Sequence, residues 1–260
     1  MRNLELSKKT IQIGRPAGRN KKNDKIKLIY KKLYRSFGRQ GWWPVSIKKG
    51  EEPVYRKGIY KPLNKREAFE IAIGAILTQN TSWNNVKLCI KNLSQNNMID
   101  LLKIIKLDEE KIYPLIKSSG YYKQKAIKLK NLAIWWLKNI KKINKLKTKE
   151  LRESLLSVKG IGPETADSIL LYAFKRATFV IDAYTKRIYS RVTDKNEEKY
   201  ETLKSIFENS LPRSIKIYNE YHALLVELAK RNCKKKFPLC LNCPLENICE
   251  FFKEKYGNRK

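Results

Sequence analysis

The chain is short of acid: 25 aspartates and glutamates face 57 lysines and arginines, leaving a formal charge of +32 over 260 residues. Solubility needs far less, and a surplus of this size points to a polyanionic partner. Long apolar runs are missing too. None approaches the roughly 20 residues of a membrane-spanning helix, and the opening MRNLELSKKTIQIGR has no apolar core suited to a secretory signal. Nucleic acid therefore stands ahead of an anionic membrane surface as partner, and the expected setting is the cytoplasm, on the nucleoid, with no membrane contact. Strand signals are scarce: Phe179-Val180-Ile181 is the best of them and is too short to build a sheet. There is no internal repeat of fixed period. Cysteines are few and uneven, five in all with four crowded between positions 233 and 249, which does not suit a secreted disulfide framework.

Helical pattern is abundant. Residues 1–25 are basic and read as a poorly ordered tail that adds non-specific phosphate contacts. An apolar periodicity starts near Ile26 and stops at Gly38, and a turn-rich linker follows, carrying Gly41-Trp42-Trp43-Pro44, Pro53 and Pro62. From Lys65 helical segments succeed one another, over about 82–94, 97–105, 109–117, 122–141, 148–157 and 163–176, with Asn, Ser, Gly or Pro in the breaks. AFEIAIGAILTQ is apolar nearly all round, as a central buried helix is. The expected fold class is all-α. Cys89, in VKLCIKNL, reads as a small buried hydrophobe.

The stretch from Leu155 to Arg191 carries the chemistry. Gly160-Ile161-Gly162-Pro163 punctuates two amphipathic segments. Two glycines one residue apart can take the positive-φ conformations of a tight interhelical hairpin, and Pro163 suits the first position of the next helix. Free N–H groups at such a turn suit a phosphate oxygen, or a monovalent cation bridging to one. Lys159 adds charge at the same edge. By itself, the glycine pair is equally an ordinary turn between packed helices. Asp182 closes the FVI run and is trailed by Lys186, Arg187 and Arg191. It is a good N-cap for AYTKRIYSR, and also a lone carboxylate placed to act on whatever the phosphate belongs to.

Cys233-x6-Cys240-x2-Cys243-x5-Cys249 is the sharpest spacing in the chain. Thiolates this close bind either zinc or an iron–sulfur cube. Zinc ribbons use two close pairs, whereas only Cys240 and Cys243 form one here. Lys234, Lys235 and Lys236 lie within the loop, placed to meet phosphates.

The order of hairpin, helix, apolar run, aspartate and cysteine loop resembles the helix-hairpin-helix DNA glycosylases of the endonuclease III superfamily, over roughly residues 28–253. Where members carry LPGVGxxTA this chain has SVKGIGPETA, and where they carry a V-D-T-H-V-x-R type segment it has Val180 to Arg187. The histidine-bearing positions do not match, so no role passes to Ala183 or Tyr184. The resemblance implies that Asp182 is the catalytic carboxylate: it would stabilise positive charge developing on the deoxyribose and orient or deprotonate water. The 6-2-5 cysteine spacing is that of the family's [4Fe-4S] loop, which implies a structural cluster on Cys233, Cys240, Cys243 and Cys249.

An enzyme of this kind must extrude its base and fill the gap. Ile76 to Thr81 is similar to the family's L-x-x-Q-x-T segment, which makes Gln79 the inserting residue. Ser119-Gly120-Tyr121-Tyr122-Lys123 matches the second insertion loop, with Tyr121 or Tyr122 stacking on bases. DNA contacts are expected at Lys159, Gly160, Gly162, Lys186 and Arg187. Glu164 is a departure: members that also cut the backbone place a lysine there as Schiff-base nucleophile, and a glutamate cannot form an imine. The implied enzyme is monofunctional.

QGWWP and ILTQNTSWNNV look most like a branch that includes the alkylpurine glycosylases and endonuclease III-related proteins. Trp42, Trp43 and Trp83 read as packing residues that could line the base pocket, and His222, the only histidine, as a core hydrogen-bonding residue. Two helical domains are implied, a six-helix barrel over 66–176 and a cluster domain from 26–65 with 177–260. Double-stranded DNA with a damaged base would lie across the cleft of a monomer. Uracil or another deaminated base stands slightly ahead of an alkylated purine. A glycosylase/lyase with a displaced lysine and a non-catalytic structure-specific DNA-binding protein are the rivals.

Overall fold

The computed structural model describes residues 21–196 and 199–257. Most of the basic tail lies outside the described residues, but Lys21 to Lys25 belong to the first helix and not to a tail. Helix α1 spans Lys21–Phe37, and Lys25 is tied to Glu250 at 2.7 Å. The all-α expectation holds. Among the described residues there is no strand, only an isolated bridge between Val45 and Val54. Phe179, Val180 and Ile181 are fully buried in extended backbone without a strand partner.

Among the described residues eleven further α-helices follow: α2 Lys65–Leu77, α3 Trp83–Gln95, α4 Leu101–Lys106, α5 Glu109–Ile116, α6 Tyr122–Asn139, α7 Thr148–Leu156, α8 Pro163–Ser168, α9 Ala183–Thr193, α10 Tyr200–Ser210, α11 Ile215–Arg231 and α12 Glu250–Tyr256. Side chains of Asn64, Ser82, Asp100, Asp182 and Ser214 accept from the first-turn N–H groups of α2, α3, α4, α9 and α11, satisfying donors the helices themselves cannot. Helix α2 is buried from Glu67 to Leu77, as its all-round apolarity requires, and packs against α3, α6 and α8. The periodicity over 163–176 is not one α-helix. After Ser168 the chain widens into a π turn over Ile169–Ala173, and the Phe174 N–H reaches back five residues to Ile169 O at 3.0 Å.

One continuous apolar core runs from Ile26 on α1 to Leu245 beside the cysteine loop. The linker between α1 and α2 is pinned to it by scarce, buried acids. Glu70 accepts from Ser46 N at 2.6 Å and pairs with Arg66 at 3.0 Å. Glu67 takes a bidentate pair from Arg56. Glu220 on α11 accepts from Gln40 N and from Tyr60 Oη. Asp167, with no exposed surface, binds Arg152 of α7 at 2.9 and 3.0 Å, Lys204 of α10 at 3.0 Å, and the hydroxyls of Thr178 and Tyr200. That carboxylate locks the hairpin helix to the segment that leads into Asp182.

Candidate active site

The hairpin lies between α7 and α8. Gly160 takes φ +99°, and a Cβ there would run into the Lys128 side chain. Gly162 does not share that conformation. Its φ of −93° and ψ of 179° are ordinary extended backbone, and nothing stands within 4 Å of where its Cβ would be. One positive-φ glycine suffices because Val158 and Ile161, both buried, anchor the turn from inside. Pro163 occupies the first turn of α8 as expected, and Lys159 is exposed.

Gln79, just past α2, is brought to this hairpin. Its amide donates to Gly160 O at 3.2 Å and Thr165 Oγ1 at 3.0 Å, and its carbonyl accepts from Lys128 Nζ at 2.6 Å. The second loop stands beside it. Tyr122 packs edge-on against Tyr113, with centroids 5.5 Å apart. Tyr121 instead projects into solvent, 67 % exposed and held at φ +48°, a conformation bulky residues rarely adopt. Sequence reasoning missed the residue that ties the two loops together. Lys125 is buried, and its ammonium donates to Leu77 O at 2.9 Å and Ser119 O at 2.7 Å. Burial lowers its pKa to about 8, with Lys128 adding to the effect. Gln79, Asn80, Tyr121, Gln124, Lys125 and Lys128 line one polar recess of about 240 Å³.

Asp182 sits at the start of α9, close enough to the first turn of α8 for its charge to act on Glu164. It is 9 % exposed, and its Oδ1 caps the helix by accepting from Thr185 N at 2.7 Å. Its Oδ2 faces His222 Nε2 at 3.4 Å, and His222 Nδ1 is 2.7 Å from the Tyr172 hydroxyl. Burial alone would raise the Asp182 pKa, but His222 and the Thr185 hydrogen bonds outweigh it and hold the carboxyl below its usual range. Glu164 behaves oppositely. It opens to solvent on the first turn of α8, yet partial desolvation and the charge of Asp182 push it up to about 7, against the pull of His222 and Lys186. The neighbouring Asp182 carboxylate raises Glu164 whatever its exposure. Two carboxyls in one site are thus driven apart in acidity.

Tyr172, beyond His222 from Asp182, continues into a cluster of aromatic rings. Trp43 lies 5.4 Å from Tyr172 and 5.7 Å from Trp83, and Trp42 is 5.0 and 4.9 Å from the same two tryptophans. Gly74 of α2 is glycine for that reason, since a Cβ would meet the Trp43 ring at 3.0 Å. The buried indole N–H groups of Trp42 and Trp83 have no partner. Arg187 is placed away from the hairpin: its Nε donates to Cys233 O at 3.0 Å and its guanidinium covers the Tyr184 ring. Arg191, whose role sequence reasoning left open, grips the cysteine loop through Lys234 O and Lys235 O at 2.8 and 3.0 Å. Lys186 begins the backbone of α9 by donating to Asp182 O.

All four C-terminal cysteines line one small cavity, closed by Ile188, Val192, Leu228 and Leu245. Among the described residues, no three His, Cys, Asp or Glu side chains cluster as a single-ion site. Burial pushes the Cys243 thiol up to about 11, helped by the neighbouring sulfurs, and Cys240 and Cys249 shift the same way. Thiolates gathered here would need a compensating positive centre. Cys89 is fully buried, with Sγ 3.1 Å from Ser118 Oγ, as its apolar context suggests.

Comparison with known proteins decides the family. A model of the HhH-GPD superfamily of base excision DNA repair proteins matches residues 73–213. The chain belongs to this superfamily. A protein of Methanocaldococcus jannaschii described as a DNA repair glycosylase is 43 % identical over 234 residues, spanning 88 % of this chain and 97 % of its own. Endonuclease III of Thermotoga maritima is 29 % identical over 200 residues, spanning 75 % and 89 %. Among solved structures, the H. pylori 3-methyladenine DNA glycosylase bound to 1,N6-ethenoadenine is 27 % identical, with a TM-score of 0.62 over 81 % of this chain and 97 % of that one. A non-covalent endonuclease III–DNA complex gives a TM-score of 0.72 over 91 % and 99 % at 17 % identity, and shares the fold. The chain is a DNA glycosylase of base-excision repair.

Proposed function

We propose that this glycosylase is monofunctional, hydrolysing the N-glycosidic bond of an extruded base and leaving an abasic site, with uracil or another deaminated base as its first substrate. The observation that carries the reading is the pairing of Asp182, buried and held ionised, with a glutamate at the hairpin position where a lyase needs an amine. The C1′–N bond breaks, the base leaves with its electron pair and acquires a proton, and the water oxygen bonds to C1′. Asp182 stabilises the cationic sugar and takes the water proton. Gln79 and Tyr121 fill the emptied stack, and Trp42, Trp43 and Trp83 wall the base pocket.

The hairpin N–H groups, with Lys159, Gly160 and Gly162, hold a phosphate, directly or through a monovalent cation. The open space beside Gly162 supports that use, because nothing inside the fold requires a glycine there. Lys186 adds charge toward the same side. Arg187 reaches DNA through the loop it braces, not through the hairpin. The chain acts as a monomer on double-stranded DNA.

Cys233, Cys240, Cys243 and Cys249 hold a [4Fe-4S] cluster. The 6-2-5 spacing and the gathering of all four thiols around one small apolar cavity support the polynuclear group. Bound, the cluster would neutralise those thiolates and fold the basic loop between α11 and α12.

Excision of an alkylated purine is the second reading, favoured by the 27 % identity to a 3-methyladenine glycosylase. A panel of duplexes containing uracil, 3-methyladenine or 1,N6-ethenoadenine, scored for strand scission before and after alkali, separates the readings. Release of uracil with breaks only after alkali, and no borohydride-trapped adduct, is expected. A trapped adduct would establish a lyase, and release confined to the alkylated bases would replace uracil.

A further inference from the structure

We propose that Tyr172 and His222 are positioning residues for Asp182: a buried hydroxyl–imidazole pair that sets the orientation of its carboxylate for base excision. The inference deepens the reading of Asp182 as the catalytic group and rests on it. His222, on α11, is 5 % exposed, and Tyr172, in the π turn, is 2 % exposed. In its neutral form the imidazole has one donor and one acceptor nitrogen, whereas the protonated ring, whose charge lowers Asp182 and Glu164, donates from both; the assignment that follows is for the neutral ring. The nitrogen facing the carboxylate, Nε2 at 3.4 Å from Asp182 Oδ2, must be the donor. Nδ1 must then accept, and the Tyr172 hydroxyl at 2.7 Å is its donor. Tyr172 keeps that proton, since burial and then the charges of Asp182 and Glu220 hold its pKa well above the phenol value. The hydroxyl thereby selects the Nε2–H tautomer.

Asp182 is consequently held on one side, Oδ1 by Thr185 N–H of its own helix, and faced on the other by α11. His222 Nε2 is buried and makes no hydrogen bond in the free protein. Its 3.4 Å approach to Oδ2 is a contact that substrate binding would tighten, keeping the carboxylate from swinging away from the sugar. The π turn contributes here, because it packs on α11 and carries Tyr172. Such widened turns recur at functional sites. The other charged groups facing the carboxylate region are Glu164 on α8, Lys186 on α9 and Glu220 on α11, the last bound by Gln40 N and Tyr60 Oη.

His222 is the only histidine, so long-range ¹H–¹⁵N spectra of the untagged full chain contain a single imidazole. The expected wild-type state is the Nε2–H tautomer, shifting toward Nδ1–H in Tyr172→Phe, which keeps the ring against Trp43. On every duplex from which the wild type releases a base, Tyr172→Phe is expected to slow single-turnover release about ten-fold, with affinity for a tetrahydrofuran abasic-site duplex unchanged. The acid limb of its pH–rate profile should move upward. His222→Gln, which retains a side-chain N–H, should recover more activity than His222→Ala. An Nδ1–H wild-type tautomer, or full-rate release by Tyr172→Phe, overturns the proposal. If the wild type releases no base from any duplex, the glycosylase reading of Asp182 fails, and the proposed role falls with it; the tautomer then still tests the geometry.

Discussion

At the scale of single residues, two neighbouring carboxyls shift in opposite directions. Asp182→Asn removes the charge but keeps a good N-cap, so the protein should stay folded and lose only the carboxylate's own contribution at neutral pH. Base release is expected to fall by about 10²- to 10⁴-fold, measured in single turnover. Glu164 gives a sign that can be checked on stability. Its pKa rises from 4.5 unfolded to about 7 folded, so the folded state binds the extra proton. Whatever stability this group contributes is present below pH 4.5 and lost as pH climbs through 7. Thermal melts from pH 4.5 to 8 should therefore lose this dependence in Glu164→Gln, and an unchanged profile would contradict the shift. Asp182 has the opposite sign: its contribution holds above the unfolded carboxyl pKa and fades as pH falls through its lowered folded value. Glu164→Lys should make a borohydride-trapped adduct appear, since it restores an amine where this chain has none.

At the scale of the element, the hairpin glycines separate folding from binding. Gly160→Ala forces a left-handed φ and meets Lys128, and should destabilise by about 1–2 kcal/mol in denaturant unfolding. Gly162→Ala faces open space in extended backbone. It should leave stability within about 0.5 kcal/mol while weakening affinity for an abasic-analogue duplex. Were both variants to bind DNA like the wild type, the hairpin would not be a phosphate grip. Helix α8 also depends on Asp167. Asp167→Ala strands Arg152 and Lys204 around a buried site, and about 3–5 kcal/mol of stability should be lost.

At the scale of the molecule, charge and the cysteine loop set behaviour. With +32 formal charges, affinity for undamaged duplex should fall steeply with salt, by roughly 10³-fold or more between 50 and 200 mM if about six phosphates are contacted. A shallow slope would confine the basic excess to solubility. Cys243→Ser should lose iron and inorganic sulfide and loosen the loop from Cys233 to Cys249. The core from α1 to α11 should stay folded by circular dichroism, because its apolar contacts lie elsewhere.

Much of this was legible along the chain. Helical periodicity, caps and breaks marked most elements within a few residues, because those signals are local. The glycine–proline turn, the aspartate after an apolar run and the cysteine spacing named the family in order. Local pattern could not see the π turn, which interrupts a stretch that reads as one helix, nor tell that Gly162 takes no special φ. It gave no sign that Arg187 also ties α9 to Cys233 O. The contacts that give the site its character join residues far apart in sequence: His222 with Asp182 and Tyr172, Lys125 with Leu77, Glu220 with Gln40. Burial decides them, since an acid or imidazole changes its chemistry only when neighbours replace its water. The sequence by itself determined a basic, helical DNA glycosylase with one candidate carboxylate. Only the tertiary structure decided how that carboxylate is held, and which charged groups surround it, because those partners come from elements distant in the chain.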